Sequence, residues 1–291
     1  MQMMPAADKL LSMPQECDFV ALDFETANRE WTSICAIGLA FVAGGRVVAN
    51  PSWLVRPPQL LFDPGFVKIH GITADQVADK PEFCDLWPDL RPYLEGKIII
   101  AHNAEFDVNV LIQALDLYRI PRPNAEYSCT KVIAQRTWPG WRRYGLAALA
   151  ERHGIVFRHH DAGEDANVCA QVALRACREK GAADFGVLHE TLNITRGRIY
   201  PDGHDKLREG DSVLPAFGPW DGRIHSRPEQ VKRQQRASEI SDAAIDTATA
   251  TGVINGYAVT LGNCACADFK GRKLPCKHIY KLYFELNKGH G

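Results

Sequence analysis

Four acidic residues and a histidine, spread over three distant clusters, constrain this chain most. They are Asp23 and Glu25 in DFETAN, Asp107 in AHNAEFDVNVL, and His160 with Asp165 in HHDAGED. Carboxylates gathered in one cleft repel one another and hold protons, unless hard divalent cations sit among them and take their oxygens as ligands. A fold that makes these clusters converge is suited to metal-assisted attack on a phosphodiester.

Local pattern places each cluster on a firm support. FVALDF is an apolar run of strand type, and residues two apart on a strand share a face, so Asp23 and Glu25 point the same way. KIIIA reads as a second buried strand, and AEFDVNVLIQAL as a helix with Asp107 in its first turn, near the strand's carboxyl end. Open α/β sheets build sites at such ends. In HHDAGEDANVCAQVAL, Asp161 and Glu164 have capping-box spacing; they predict a helix from Ala162 to about Gly181, with His160 in the loop before it and Asp165 one turn inside.

The three motifs, in this order, resemble those of the DEDDh branch of the DnaQ-like 3′–5′ exonucleases, whose third motif carries a histidine five residues before its last aspartate. His160 and Asp165 have that spacing; His159 does not. The likeness runs from about Phe19 to about Arg178. It implies an α/β fold: a ribonuclease-H-like mixed sheet flanked by helices. It further implies two Mg²⁺ or Mn²⁺ ions held by Asp23, Glu25, Asp107 and Asp165, with His160 as the catalytic base. Thr26, His70, Gly71, Ile72 and Phe106 are implied as substrate contacts at single-stranded 3′ ends. An unperturbed imidazole titrates near neutral pH, which suits it to taking a proton from attacking water.

A second signature lies in GNCACADFKGRKLPCKHIYKL. Cys264, Cys266, Cys276 and His278 offer the four sulfur and nitrogen ligands of a closed tetrahedral zinc site, which implies a structural rather than a catalytic metal. Cys264 and Cys266 are expected to share a strand face, and KHIYKLYFELN to form a short helix that brings in His278. The pattern resembles the SWIM zinc finger, which implies one Zn²⁺ and a module that binds nucleic acid or a protein partner.

The other six cysteines show no paired spacing, and MQMMPAADKLLSMP lacks the apolar core and cleavage site of a leader. A reducing cytoplasm is the expected location. No run is long enough to span a membrane, so no membrane partner is expected.

After the first strand, ICAIGLAFV, the turn AGGR and VVANPSWLV read as an antiparallel hairpin. The expected domains are 15–181 for the nuclease, 182–228 for a linker with local structure, and 229–291 for the zinc module. EQVKRQQRASEISDAAIDTATA reads as a helix, and GVINGYAVTLGN as two strands joined by Asn-Gly. A net charge of −1 confines attraction for phosphate to local patches. These are Arg142 and Arg143 beside Trp138, Trp141 and Tyr144, the segment Arg223 to Arg236, and Lys270 to Lys277. Packing of the two tryptophans on the helix that follows is an equal reading. A metal-dependent 3′–5′ exonuclease is the function these features imply; the alternative is a noncatalytic adaptor led by its zinc module.

Overall fold

The structure, a computed structural model, describes residues 16–209, 222–247, 249–272 and 274–287. The amino-terminal stretch examined for a leader and linker residues 210–221 lie outside the described residues. The described chain divides into two compact units. One holds the residues up to Ala134 together with Arg143–Arg208; the other holds Gln135–Arg142 and the residues from Glu209 onward.

The first unit is built on eight strands, and β1 (Phe19–Thr26) is central. β2 (Ile34–Ala43) lies antiparallel to it and also pairs with β3 (Arg46–Ala49) and β4 (Ser52–Leu54). Gly44 and Gly45 make the β2–β3 turn with φ of 58° and 70°, as AGGR predicts. On the other side of β1, β5 (Ile98–Ala101) and β6 (Ala125–Cys129) run parallel to it. This is the expected mixed sheet. Its core joins Val20, Leu22, Leu39, Ile99 and Tyr127 to Trp87, Val108, Leu111 and Leu115 from the helices on it.

Three helices carry the site. α1 (Pro64–His70) ends at Gly71 in the left-handed region, φ 76°. α2 (Glu105–Leu117) follows β5 and places Asp107 in its first turn. α3 (Ala162–Lys180) opens on Asp161, whose carboxylate accepts from the Glu164 N–H at 3.2 Å, and closes on Gly181.

Residues 182–205 are more than linker. They form α4 (Phe185–Leu192), then β7 (Gly197–Tyr200) and β8 (Gly203–Asp205), which extend the sheet beyond β6. The Gly-, Pro- and charge-rich sequence hides this because β7 and β8 are short edge strands. Ladder bonds and burial of Ile199 fix them, without any alternation long enough to read.

The second unit contains α5 (Pro228–Ser238), the antiparallel strands β9 (Ala243–Asp246), β10 (Thr251–Ile254) and β11 (Tyr257–Thr260), then α6 (Ala267–Arg272) and α7 (Lys277–Leu286). The helix predicted from Glu229 onward stops at Ser238, and AAID becomes a strand because Ala243 to Asp246 pair with β10. Tertiary pairing overrides the helix propensity of the alanines. Asn255 and Gly256, at φ 49° and 76°, form the predicted tight turn. Trp138 and Trp141 belong to this unit and stack on each other, ring centroids 5.1 Å apart and 8° from parallel.

Candidate active site and zinc centre

Asp23 and Glu25 leave β1 on one face, while Phe24 between them turns into the core. The Phe24 N–H donates to Asp107 Oδ1 at 3.1 Å, which ties the first turn of α2 to this strand. Asp165 arrives from the first turn of α3. Carboxylate oxygens of Asp23, Glu25 and Asp165 all lie within 4.8 Å of one another. Asp107 and Asp165 are buried.

One residue that sequence reading missed makes this approach feasible. Gly38 of β2 is the register partner of Asp23, and a Cβ there would run into the Ala162 carbonyl. The start of α3 lies directly on the bare backbone, so Asp165 reaches the carboxylates of β1. A glycine inside the buried run ICAIGLAF is the available signal, since glycine within a strand marks close approach of another backbone. Gly38→Ala is expected to push α3 outward and lower turnover by roughly 10²-fold, the usual loss for about 1 Å of misplacement. Steady-state rates beside a circular-dichroism melt check this, and unchanged kcat would refute it.

Electrostatics agree with the geometry. Burial, then repulsion from Asp107, Asp165 and Glu25, holds the Asp23 carboxyl well above its usual range. Glu25 is pushed up to about 8 by burial, then by Asp165 and Asp107. Burial also raises Asp107 and Asp165, although the Phe24 N–H opposes it at Asp107, and His159 with the His160 N–H opposes it at Asp165. Four buried or half-buried carboxyls that repel one another and offer only oxygen suit hard divalent cations.

Both histidines of HHD stand at this cluster. His159 Nδ1 lies 3.1 Å from Asp165 Oδ1. His160 adopts φ 66°, donates its backbone N–H to Asp165 Oδ2 at 3.0 Å, and places Nδ1 3.9 Å from Glu25 Oε1. The rings stack with centroids 3.8 Å apart. Spacing favours His160, whereas the side-chain hydrogen bond to Asp165 belongs to His159. Burial, then His159, pushes the His160 imidazole below its usual value, against the pull of Asp165.

The residues expected to touch substrate form the rim. His70 Nδ1 accepts from the Ile72 N–H at 3.0 Å, so Nε2 carries the proton and donates to the Thr26 carbonyl at 3.2 Å. This bond ties Thr26, His70, Gly71 and Ile72 into one turn at the end of β1. Phe106 lies beside Asp107 on α2 and meets the Trp31 ring at 5.4 Å.

In the second unit Cys264, Cys266, Cys276 and His278 are all buried, with ligand atoms within 4.8 Å of one another. His278 Nδ1 stands 3.6 Å from Cys264 Sγ and 3.8 Å from Cys276 Sγ. A hydrogen bond from Cys276 pulls the Cys264 thiol down to about 5, and the same bond raises Cys276. This sulfur and nitrogen set fits zinc. Cys266 sits just before α6 rather than on a strand, where its Sγ accepts from the Phe269 N–H at 3.5 Å. Cys276 caps α7, which brings in His278 as expected. Asp268 of α6 binds Arg233 of α5 through Nε at 2.8 Å and Nη2 at 3.2 Å, tying that helix to the finger.

Comparison with known proteins matches this arrangement. Residues 253–287 match the SWIM zinc finger family. The chain is 32% identical over 170 residues to DNA polymerase III subunit epsilon of Treponema pallidum, covering 57% of this chain and 79% of that protein. It is 30% identical over 186 residues to the subunit of the same name from Salmonella typhimurium, covering 59% and 76%. A solved structure of exonuclease I shares the fold at TM-score 0.51 and 18% identity, covering 60% of this chain and 44% of that one. The family described as Exonuclease matches residues 20–173, more than half of the chain and the stretch that holds all four carboxylates, so this chain belongs to that family and is a nuclease.

Proposed function

We propose that the chain removes nucleotides from the 3′ end of nucleic acid, single-stranded DNA above all, in repair, proofreading or turnover. The observation that carries this reading is the convergence of Asp23, Glu25 and Asp165, with Asp107 bonded to the strand between the first two, beside two histidines. Relatives named DNA polymerase III subunit epsilon support DNA as the substrate. Asp23, Glu25 and Asp165 would hold one Mg²⁺ or Mn²⁺, and Asp23 chiefly the second, with Asp107 completing the cluster. Such ions supply Lewis-acid polarisation of the phosphate and ease deprotonation of water.

The chain's own groups do the rest. His160, whose imidazole burial pushes below its usual value, takes the proton from the attacking water. Thr26, His70, Gly71, Ile72 and Phe106 hold the terminal nucleotide against the rim. The nuclease is assigned to residues 15–181 with the sheet continuing to β8, and the finger to 229–291. The finger holds one Zn²⁺ through Cys264, Cys266, Cys276 and His278 and recruits nucleic acid or a protein partner. Six free cysteines beside the three zinc ligands, none in a disulfide, support action in the reducing cytoplasm. No described helix is long and apolar enough to cross a membrane.

The test uses 5′-labelled DNA and RNA strands with Mg²⁺ or Mn²⁺. A ladder that shortens stepwise from the 3′ end is expected, while a single internal cut would refute the reading. His160→Ala is expected to lower kcat by roughly 10²- to 10⁴-fold and His159→Ala by much less. The reverse order would assign the base to His159.

A further inference from the structure

The two basic segments of the carboxy-terminal part, Arg223 to Arg236 and Lys270 to Lys277, meet in the second unit. A cavity of about 400 Å³ lies beside the zinc ligands, with Arg233 and Arg236 of α5, Arg272 of α6 and Lys277 of α7 on its wall. Arg233 and Arg272 both bind the Asp268 carboxylate, at 2.8 Å and 2.7 Å. Arg236 and Lys277 form no ion pair among the described residues. Against the four cations stand Asp268 and the one negative charge that three thiolates and a neutral imidazole leave on Zn²⁺, so the cavity stays positive.

Tyr257 adds a flat apolar surface to the same wall. The turn at Asn255 and Gly256 sets it at the start of β11, where it is 40% accessible. Its ring meets the His278 imidazole with centroids 5.0 Å apart and planes 33° from parallel, so a zinc ligand backs it. The cationic part of the wall is also fixed in advance: Arg233 grips Asp268 through Nε and Nη2 and donates Nη1 to the Glu229 carbonyl at 2.6 Å. A ring and charges held in place beforehand lose little entropy when a partner settles on them.

We propose that this cavity is a single-stranded nucleic-acid site, in which Tyr257 stacks on one base while Arg236 and Lys277 take the flanking phosphates. This deepens the reading of the finger as a recruiting module and rests on it. An acidic peptide would satisfy the cations but leave the exposed, backed ring unused, whereas a nucleic-acid strand carries a phosphate charge and a π face at every nucleotide. Neither contact reads a base edge, so the site tolerates sequence. A paired base is already stacked and bonded in its duplex, so the site selects single strands.

Binding is read by fluorescence anisotropy on the full chain carrying Asp23→Ala, which blocks cutting, with zinc content per chain measured for every variant. The probes are a labelled DNA strand of mixed sequence and the same strand made abasic throughout. Adding Tyr257→Ala is expected to raise Kd for the ordinary strand by roughly 5- to 150-fold, the usual loss for one base–aromatic stack, and to leave Kd for the abasic strand unchanged. Tyr257→Phe should retain most of the affinity. Arg236→Gln and Lys277→Gln should weaken both strands, each lowering the slope of log affinity against log salt by about 0.7. Arg236 is exposed on α5, so its variant reads the cavity even where Tyr257→Ala loses zinc. Unchanged affinity in Tyr257→Ala and Arg236→Gln overturns the proposal. So does an equal Tyr257→Ala penalty on both strands, because the ring would then only be shaping the zinc centre. Chelating the zinc separates this failure from that of the recruiting reading: affinity that falls on chelation but not in the variants places nucleic acid on another face of the finger, and affinity that ignores chelation shows that the finger does not recruit it.

Discussion

Asp23→Ala is expected to lower turnover by about 10³-fold or more while the fold stands, since the several kcal/mol of charge stabilisation lost with the cations amount to that factor. The same change should stabilise the metal-free protein. Glu25 titrates near 4.5 in an unfolded chain but near 8 in the folded site, so the folded state holds a proton that the unfolded state releases. Stability without divalent ions should therefore fall as pH rises from about 4.5, with the loss complete above about 8. Removing the Asp23 charge eases the repulsion on its neighbours, and one unit of relief is about 1.4 kcal/mol. Urea titrations without added Mg²⁺ or Mn²⁺, with zinc kept in the finger, at pH 5 and pH 8 read this directly. A wild type more stable at pH 8 than at pH 5, or an Asp23→Ala protein with full turnover, would sink the mechanism.

Stripping zinc, or making Cys276→Ser, should unfold the finger and leave the nuclease sheet intact. The finger's core is small, chiefly Ile254, Val259, Phe269, Ile279 and Leu282 around the ligands. A structural zinc supplies about 10–16 kcal/mol in peptides of this kind, as much as the whole stability of a typical domain. Hydrogen exchange should therefore rise across Thr251–Thr260 and α7 on chelation, with β1 and β5 still protected. Turnover of short strands should persist. Freshly purified protein without zinc would remove the metal assignment, and loss of short-strand turnover would make the two units one catalytic machine. A chain cut at Gly181 is the wrong comparison, because it also loses α4, β7 and β8 from the nuclease unit.

The sequence by itself determined the local supports of the chemistry. A strand alternates its faces, so DFE puts Asp23 and Glu25 on one side; a capped first turn fixes Asp165 on α3; and Asp107 follows β5 at the start of α2. Asn255-Gly256 announced the β10–β11 turn, and the Cys and His spacing announced the four zinc ligands, because both depend on a few adjacent residues. Tertiary structure decided whatever depends on distant partners. The strands β7 and β8, the end of α5 at Ser238 and the strand β9 exist through ladder bonds to neighbours far along the chain, which overrule weak local preference. Gly38 acquires its role only when α3 lies across β2, and His159 gains its bond to Asp165 only in the left-handed turn at His160. Closing the metal site takes an approach of backbones separated by more than a hundred residues, and only packing can set such a distance.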